Sequence, residues 1–270
     1  MNRAFAKSAV ESVIVSDNWD ALRRFTPARI ALGRTGVSLP TREVLKFSLA
    51  HAQARDAVHL PLDVTALANE LAASAFSPRT VHSTAPDRAA YLRRPDWGRR
   101  LDEASRQSLS LDAPVSGARL AIVVADGLSS LAVARHTAAF LLALRTYIAD
   151  LTDMPLVIAS QGRVALGDEI GALLGVEQVV VLIGERPGLS SPDSLGIYLT
   201  YGPRPGLSDA ERNCISNVRP EGLDYASAVR KLAYLIDGAR RLGASGVALK
   251  DDSDEHVLTD DDRAQRLAGT

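Results

Sequence analysis

The chain has 270 residues, 46% of them hydrophobic and 23% charged, with a formal net charge of −1 and a single cysteine. That length suits one large domain or two small ones, the composition excludes global disorder, and the near-zero charge argues against a broad nucleic-acid-binding surface. One cysteine permits neither an internal disulfide nor a paired-cysteine zinc or redox site, so a reducing compartment is allowed.

Taken in chain order, the N-terminus lacks the continuous apolar run of a secretory signal. Residues 7–15 read as a short amphipathic turn. Thr41, following Pro40, is placed to cap a helix to about Ala57, with Val44, Leu45, Leu49 and Ala52 on one face. A second helix is expected near 64–75. Residues 77–95, with three prolines, read as a polar connector, and a further helix follows near 99–109. The most apolar stretch, 138–144, is bounded by charged or polar side chains and falls far short of the roughly 20 residues of a membrane span.

The second half changes character. Residues 119–125 (RLAIVVA), 156–160 and 178–183 (QVVVLI) are continuous, mostly β-branched runs, and 195–200 is a weaker one, as expected of strands buried on both faces. Helical patterns alternate with them at about 131–150, 167–174 and 224–242, with Gly243 placed to end the last. The alternation predicts an α/β fold: a helical N-terminal region over 1–110, then a doubly wound, mainly parallel, Rossmann- or flavodoxin-like sheet over 111–248. Seven acids and no base lie between Asp251 and Asp262, so 249–270 reads as a disordered acidic tail and the remaining chain carries +6.

The chemistry-bearing motifs are mostly missing. There is no GxGxxG fingerprint, no phosphate-binding GxxxxGK[ST] loop, no HExxH and no GxSxG elbow, and the five histidines show no metal-ligand spacing. No catalytic residue and no metal ligand is assigned. What remains is three polar, glycine-containing loops at the expected carboxyl ends of strands: Asp126–Ser130, Gln161–Val164 and Gly184–Leu189. In an open parallel sheet ligands gather there. Glu185 could accept hydrogen bonds from amides or sugar hydroxyls, and Val164 could offer apolar or backbone contact. Cys214 has no obvious local base, and a lone cysteine is more often a small buried hydrophobe than a nucleophile.

At these residues the chain resembles the light chain of adenosylcobalamin-dependent ethanolamine ammonia-lyase. The resemblance rests on TPARIALGRTGVSLPTREVLKF (26–47), YLRRPDWGRRL (91–101), VADGLSS (124–130), GRVALGDEIG (162–171), VVVLIGERPGL (179–189) and RNCISNV (212–218), and spans roughly 20–247. It implies a subunit without catalytic residues of its own, partnered in a hetero-oligomer with a heavy chain built as a TIM barrel. Together the two chains would hold the cobalamin for radical conversion of ethanolamine to acetaldehyde and ammonia. It implies cofactor contacts at Val164, Glu185 and Cys214, an N-terminal arm against the heavy chain, and an interface role for the arginines around Pro95–Gly98. The absence of a D-x-H-x-x-G motif fits a base-on cofactor that takes no histidine from this chain. The matching core starts near Asp20, leaving little room for a microcompartment-targeting extension, so cytoplasm is the expected location and a bacterial microcompartment the alternative. Two other functions stay open on the residues alone: a stand-alone α/β enzyme for a nucleotide or phosphorylated ligand, and a purely scaffolding subunit.

Overall fold

The computed structural model describes residues 13–111 and 119–253, which form two compact units: 13–54 with Gly188–Ser190, and Arg55–Pro187 with 191–253. Most of the amphipathic turn at 7–15 and the acidic tail from 254 onward lie outside the described residues.

The first unit contains a 3-10 turn (Asp20–Phe25) and most of helix α1 (Thr41–His59). A small antiparallel bridge joins Val15 to Arg34, each backbone donating to the other at 2.8 and 3.0 Å. Gly33 beside it is left-handed, and a Cβ there would sit 2.8 Å from the Val15 carbonyl oxygen. Only Pro40, Glu43 and Ala50 are buried among the unit's described residues. The expected apolar face of α1 is largely exposed: Leu45 is 63% and Leu49 61% accessible.

The second unit is built on one six-stranded sheet in the order β1-β3-β2-β4-β5-β6. The strands are β1 (Pro78–His82), β2 (Leu120–Ala125), β3 (Leu156–Ser160), β4 (Gln178–Gly184), β5 (Leu195–Tyr201) and β6 (Arg212–Val218). Strands β1, β3, β2 and β4 run parallel, and β5 and β6 add antiparallel. The sheet is therefore mixed as well as mainly parallel. Its helices are α2 (Val64–Ala73), α3 (Arg88–Arg93), α4 (Glu103–Leu111), α5 (Ser130–Leu144), α6 (Leu166–Leu174) and α7 (Tyr225–Leu242).

The apolar strand runs divide between two cores by the period-2 rule. Leu120, Ile122, Val124, Ile158, Val180 and Leu182 face α2, α5 and α7. Ala121, Val123, Val157, Val179 and Val181 face α4 and α6. Side-chain caps start several helices, with Asp63, Ser129 and Asp224 accepting amides of α2, α5 and α7. Left-handed Gly175 and Gly243 end α6 and α7.

Two edge strands differ from the sequence expectation. β1 lies in what reads as a polar connector, and α2, α3 and α4 belong with the sheet's unit, so the 1–110 stretch is not purely helical. An edge strand is covered on one side only. It tolerates Pro78 at its first position and polar residues along it, so it lacks the apolar signature of a central strand. β6 has the same excuse, with Asn213, Cys214, Ser216 and Asn217 alternating irregularly. Residues 249–251, expected in the tail, are tied to the fold: Asn213 Nδ2 donates to the Leu249 carbonyl at 2.8 Å and Lys231 pairs with Asp251 at 3.5 Å.

His136 on α5 is buried, 2.7 Å from the Tyr225 hydroxyl through Nδ1 and 3.7 Å from Asp193 through Nε2. Burial pushes its pKa below the ordinary 6.5, although Asp193 works the other way. A depressed folded pKa contributes stability that is full above the unfolded value and is lost as pH falls. The wild-type chain is therefore expected to lose stability relative to His136→Gln as pH drops below about 6.5. Urea midpoints of both proteins from pH 5 to 8 check this, and parallel curves would refute it.

Candidate functional site

Strands β2 and β3 are neighbours, yet β2 leads into α5 in one core layer and β3 into α6 in the other. Their loops diverge at the carboxyl edge, which is the switch-point geometry where α/β sheets hold ligands. The loop after β4 joins them there. An open cleft of about 420 Å³ lies at this edge, lined by Tyr91, Gly127, Leu128, Arg163, Val164, Ile183, Gly184, Glu185, Arg186 and Tyr198.

The base of the site is set by backbone packed on backbone. The Leu128 amide donates to the Gly184 carbonyl at 2.8 Å. Gly127 is left-handed (φ +56°), and a Cβ on it would lie 2.3 Å from the Gly184 oxygen. A Cβ on Gly184 would lie 2.0 Å from the Ser129 oxygen. These two glycines let the β2 and β4 loops touch.

A buried polar network then fixes the β2 and β3 loops against each other. Asp126 Oδ1 accepts the Gly162 amide at 2.9 Å, and Oδ2 pairs with Arg88 at 3.3 Å. Arg88 also donates to the Gly127 carbonyl at 2.8 Å and, through Nε, to the Val58 carbonyl at 2.7 Å. The Tyr91 hydroxyl donates to the Gly162 carbonyl at 3.0 Å. Its ring has the Arg88 guanidinium 4.9 Å and the Arg163 guanidinium 4.2 Å from its centroid. Burial pushes the Tyr91 phenol and the Asp126 carboxyl up, the latter against the opposing pull of Arg88 and nearby amides. Gln161 at the end of β3 is buried with φ +55°, and its Oε1 has no hydrogen-bond partner among the described residues. A left-handed, non-glycine residue at a strand end is the kind of local strain that surrounding structure must enforce.

Of the three expected contact residues, Val164 and Glu185 line this cleft together. Val164 sits on the turn from β3 into α6, packed against the core beneath. Glu185 leaves β4 with its amide bonded to the Ser194 carbonyl at 3.0 Å, and its Oε2 accepts the Asn217 amide at 3.1 Å. Oε1 is left without a hydrogen-bond partner among the described residues. Cys214 does not line the cleft. It stands on β6 opposite Tyr198 of β5, with its side chain exposed. Desolvation pushes the Tyr198 phenol up and, although Cys214 is exposed, its thiol as well. The cysteine is thus the strand neighbour of a cleft-lining residue without lining the cleft itself.

Sequence reasoning named the loops that hold Asp126, Arg163 and Arg186 without singling out those side chains, and it missed Arg88, Tyr91 and Tyr198. Asp126 carried a readable signal, an acid at the end of an apolar strand run. Arg88 and Tyr91 carried none, because α3 reaches the site only through the tertiary fold. The arginine cluster around Pro95–Gly98 is partly spoken for: Arg94 forms a two-pronged pair with Asp96 at 3.0 and 2.7 Å and covers the Trp97 ring. Among the described residues no group of three His, Cys, Asp or Glu side chains is placed to hold a metal ion.

The family model of the ethanolamine ammonia-lyase light chain (EutC) matches residues 16–250. The chain belongs to the ethanolamine ammonia-lyase light-chain family. Curated relatives agree with the match. The ethanolamine ammonia-lyase small subunits of Pseudomonas fluorescens (strain SBW25) and of Ralstonia nicotianae are both 55% identical to it. The alignments cover 90% of each chain in the first case, and 92% of this chain and 93% of the relative in the second. The small subunit of Pseudomonas fluorescens (strain Pf0-1) is 57% identical over 89% of each. The light-chain family belongs to a lyase, and membership leaves the stand-alone nucleotide enzyme without support.

Proposed function

We propose that this chain acts as the small subunit of ethanolamine ammonia-lyase, holding one edge of adenosylcobalamin in the cleft and closing it against a larger partner subunit. The observation that carries the reading is the convergence of Val164 and Glu185 at the sheet's switch point. The donor set suits a corrinoid. The unpartnered Glu185 Oε1 is an acceptor for a peripheral carboxamide N–H, and Val164, Leu128 and Ile183 offer apolar surface beside it. Sites for drug-sized ligands span about 300–1,000 Å³, so a cleft of about 420 Å³ takes part of so large a cofactor and leaves the rest to a partner. Bound here, the cofactor supplies the radical chemistry that turns ethanolamine into acetaldehyde and ammonia. The work of this chain is to position and to exclude water: Glu185 orients amides, Val164 seals an edge, and Cys214 stands beside the cleft-lining Tyr198.

Glu185→Ala is expected to weaken adenosylcobalamin binding to the two-chain enzyme by roughly tenfold, the loss of one hydrogen bond to a charged group, with assembly intact. Equilibrium dialysis against the assembled protein measures it, and unchanged affinity would sink the assignment. Acetaldehyde production should require both chains, and turnover by this chain alone would overturn the subunit reading.

The first unit supplies the second half of the proposal. Its Leu45 and Leu49, with Trp19 and Phe25, are large apolar side chains left exposed, as residues that a partner covers would be. We assign this arm to contact with the heavy chain, a TIM barrel, in a hetero-oligomer of heavy–light pairs. Because both leucines are exposed, the double change Leu45→Asp with Leu49→Asp should leave the chain folded while abolishing co-purification with the heavy chain. Retained co-purification would count against the arm. No helix among the described residues is long and apolar enough to cross a membrane. Cytoplasm is the proposed location, with a microcompartment as the alternative.

A further inference from the structure

The cleft is chemically two-sided. Glu185 supplies an acceptor on one side, while Arg163 and Arg186 supply donors that the protein itself scarcely uses. A guanidinium has five N–H groups. In Arg163 only Nη2 finds a partner, the Tyr91 carbonyl at a long 3.4 Å, and the buried Nε has none. The side chain is nevertheless held in place, its guanidinium 4.2 Å from the Tyr91 centroid and its backbone amide bonded to the Gly98 carbonyl at 2.8 Å. Gly98 is itself required small, since a Cβ would lie 2.9 Å from Arg163 Cγ. Arg186, next to Glu185, makes no hydrogen bond or ion pair among the described residues. The nearby acid Asp126 is already claimed by Arg88 and by the Gly162 amide. Two fixed or free guanidinium groups beside one carboxylate leave this part of the cleft net positive.

Planar forks with unused donors match phosphate oxygens. We propose that Arg163 and Arg186 bind a phosphodiester, and that the ligand group they take is the phosphate of the cobalamin nucleotide tail, while Glu185 takes the corrin amides. This rests on the cobalamin reading above and divides its contacts between two parts of one ligand. Arg163, braced on Tyr91, is the orienting contact, and the exposed Arg186 adds charge.

The test compares cobalamin with cobinamide, which has the corrin amides but no nucleotide phosphate. Affinities of both are measured by equilibrium dialysis on the assembled two-chain enzyme carrying Arg163→Gln, Arg186→Gln or Glu185→Gln. Arg163→Gln should weaken cobalamin by about tenfold or more, Arg186→Gln by less, and both should leave cobinamide within twofold. Glu185→Gln should weaken both ligands alike. Equal losses for both ligands in Arg163→Gln, or no loss for either, would overturn the phosphate assignment while leaving the cleft reading to stand on Glu185. Indifference of both ligands to all three changes would remove the cleft reading itself. Solid-state 31P NMR of sedimented complex gives an independent readout, since cobalamin holds one phosphorus. Its bound resonance should move toward the free value in Arg163→Gln, and an identical resonance in both proteins refutes the contact. Arg163→Lys keeps the charge but not the fork, and should restore only part of the affinity.

Discussion

Asp126→Ala is expected to cost about 3–5 kcal/mol of stability, because it strands a charge in the interior. Arg88 and Asp126 are 9% and 1% exposed, so neither has water to fall back on. Removing the carboxylate leaves Arg88 with neutral carbonyl partners only and leaves the Gly162 amide without its acceptor. The pair is not intrinsically strong, since both groups lose hydration on burial. Arg88→Met combined with Asp126→Ala should therefore cost less than the two single changes together, by more than about 1 kcal/mol. Asp126→Asn should fall between, because it keeps an acceptor for Gly162 but removes the charge. Urea denaturation of the four proteins closes the cycle. Additive losses would show that the two side chains are not coupled and would refute the buried network that joins Arg88, Asp126 and the Gly162 amide.

Much of this fold could be read in the sequence, and the reason is burial. Central strands covered on both faces must be apolar throughout, so β2, β3 and β4 appear as runs that need no partner to be recognised. β1 and β6 are covered on one edge only, and their residues obey local polarity instead. The site divides in the same way. Val164 and Glu185 follow strand ends, and topology alone brings strand ends together. Cys214 also follows a motif, yet β6 is the edge strand two places from β4, which sets Cys214 opposite Tyr198 of β5 and outside the residues that line the cleft. Arg88 and Tyr91 reach the site from α3, and a helix that docks laterally leaves no periodic trace of its target. The apolar stripe on α1 is legible as a face, but the sequence does not say whether that face meets its own chain or another. Its exposure is what supports the proposed contact with a partner.

Gly184→Ala should be the most damaging single methyl in the site. The added Cβ would meet the Ser129 oxygen at 2.0 Å, the Ser129 carbonyl carbon at 2.6 Å and the Asp126 oxygen at 2.7 Å. All three are backbone atoms, so no side chain can swing aside and the β2 and β4 loops must separate. Overpacking costs about 1–3 kcal/mol where neighbours yield, and rigid backbone places this change at or above that upper bound. Gly206→Ala is the contrasting control. Its φ of +97° penalises any side chain, yet nothing lies within 4 Å of the new atom, so about 1–2 kcal/mol is the expected loss. Stability alone does not separate a weakened fold from a displaced site, but cofactor affinity does. Gly184 immediately precedes Glu185, and the loops it holds together carry Leu128 on one side and Glu185 and Arg186 on the other. Gly184→Ala should thus lower cobalamin affinity in assembled enzyme by more than Glu185→Ala does, since it moves several contacts at once, whereas Gly206→Ala should leave affinity unchanged. If Gly184→Ala binds cobalamin as tightly as the wild type, the close approach of these loops is not what shapes the cleft.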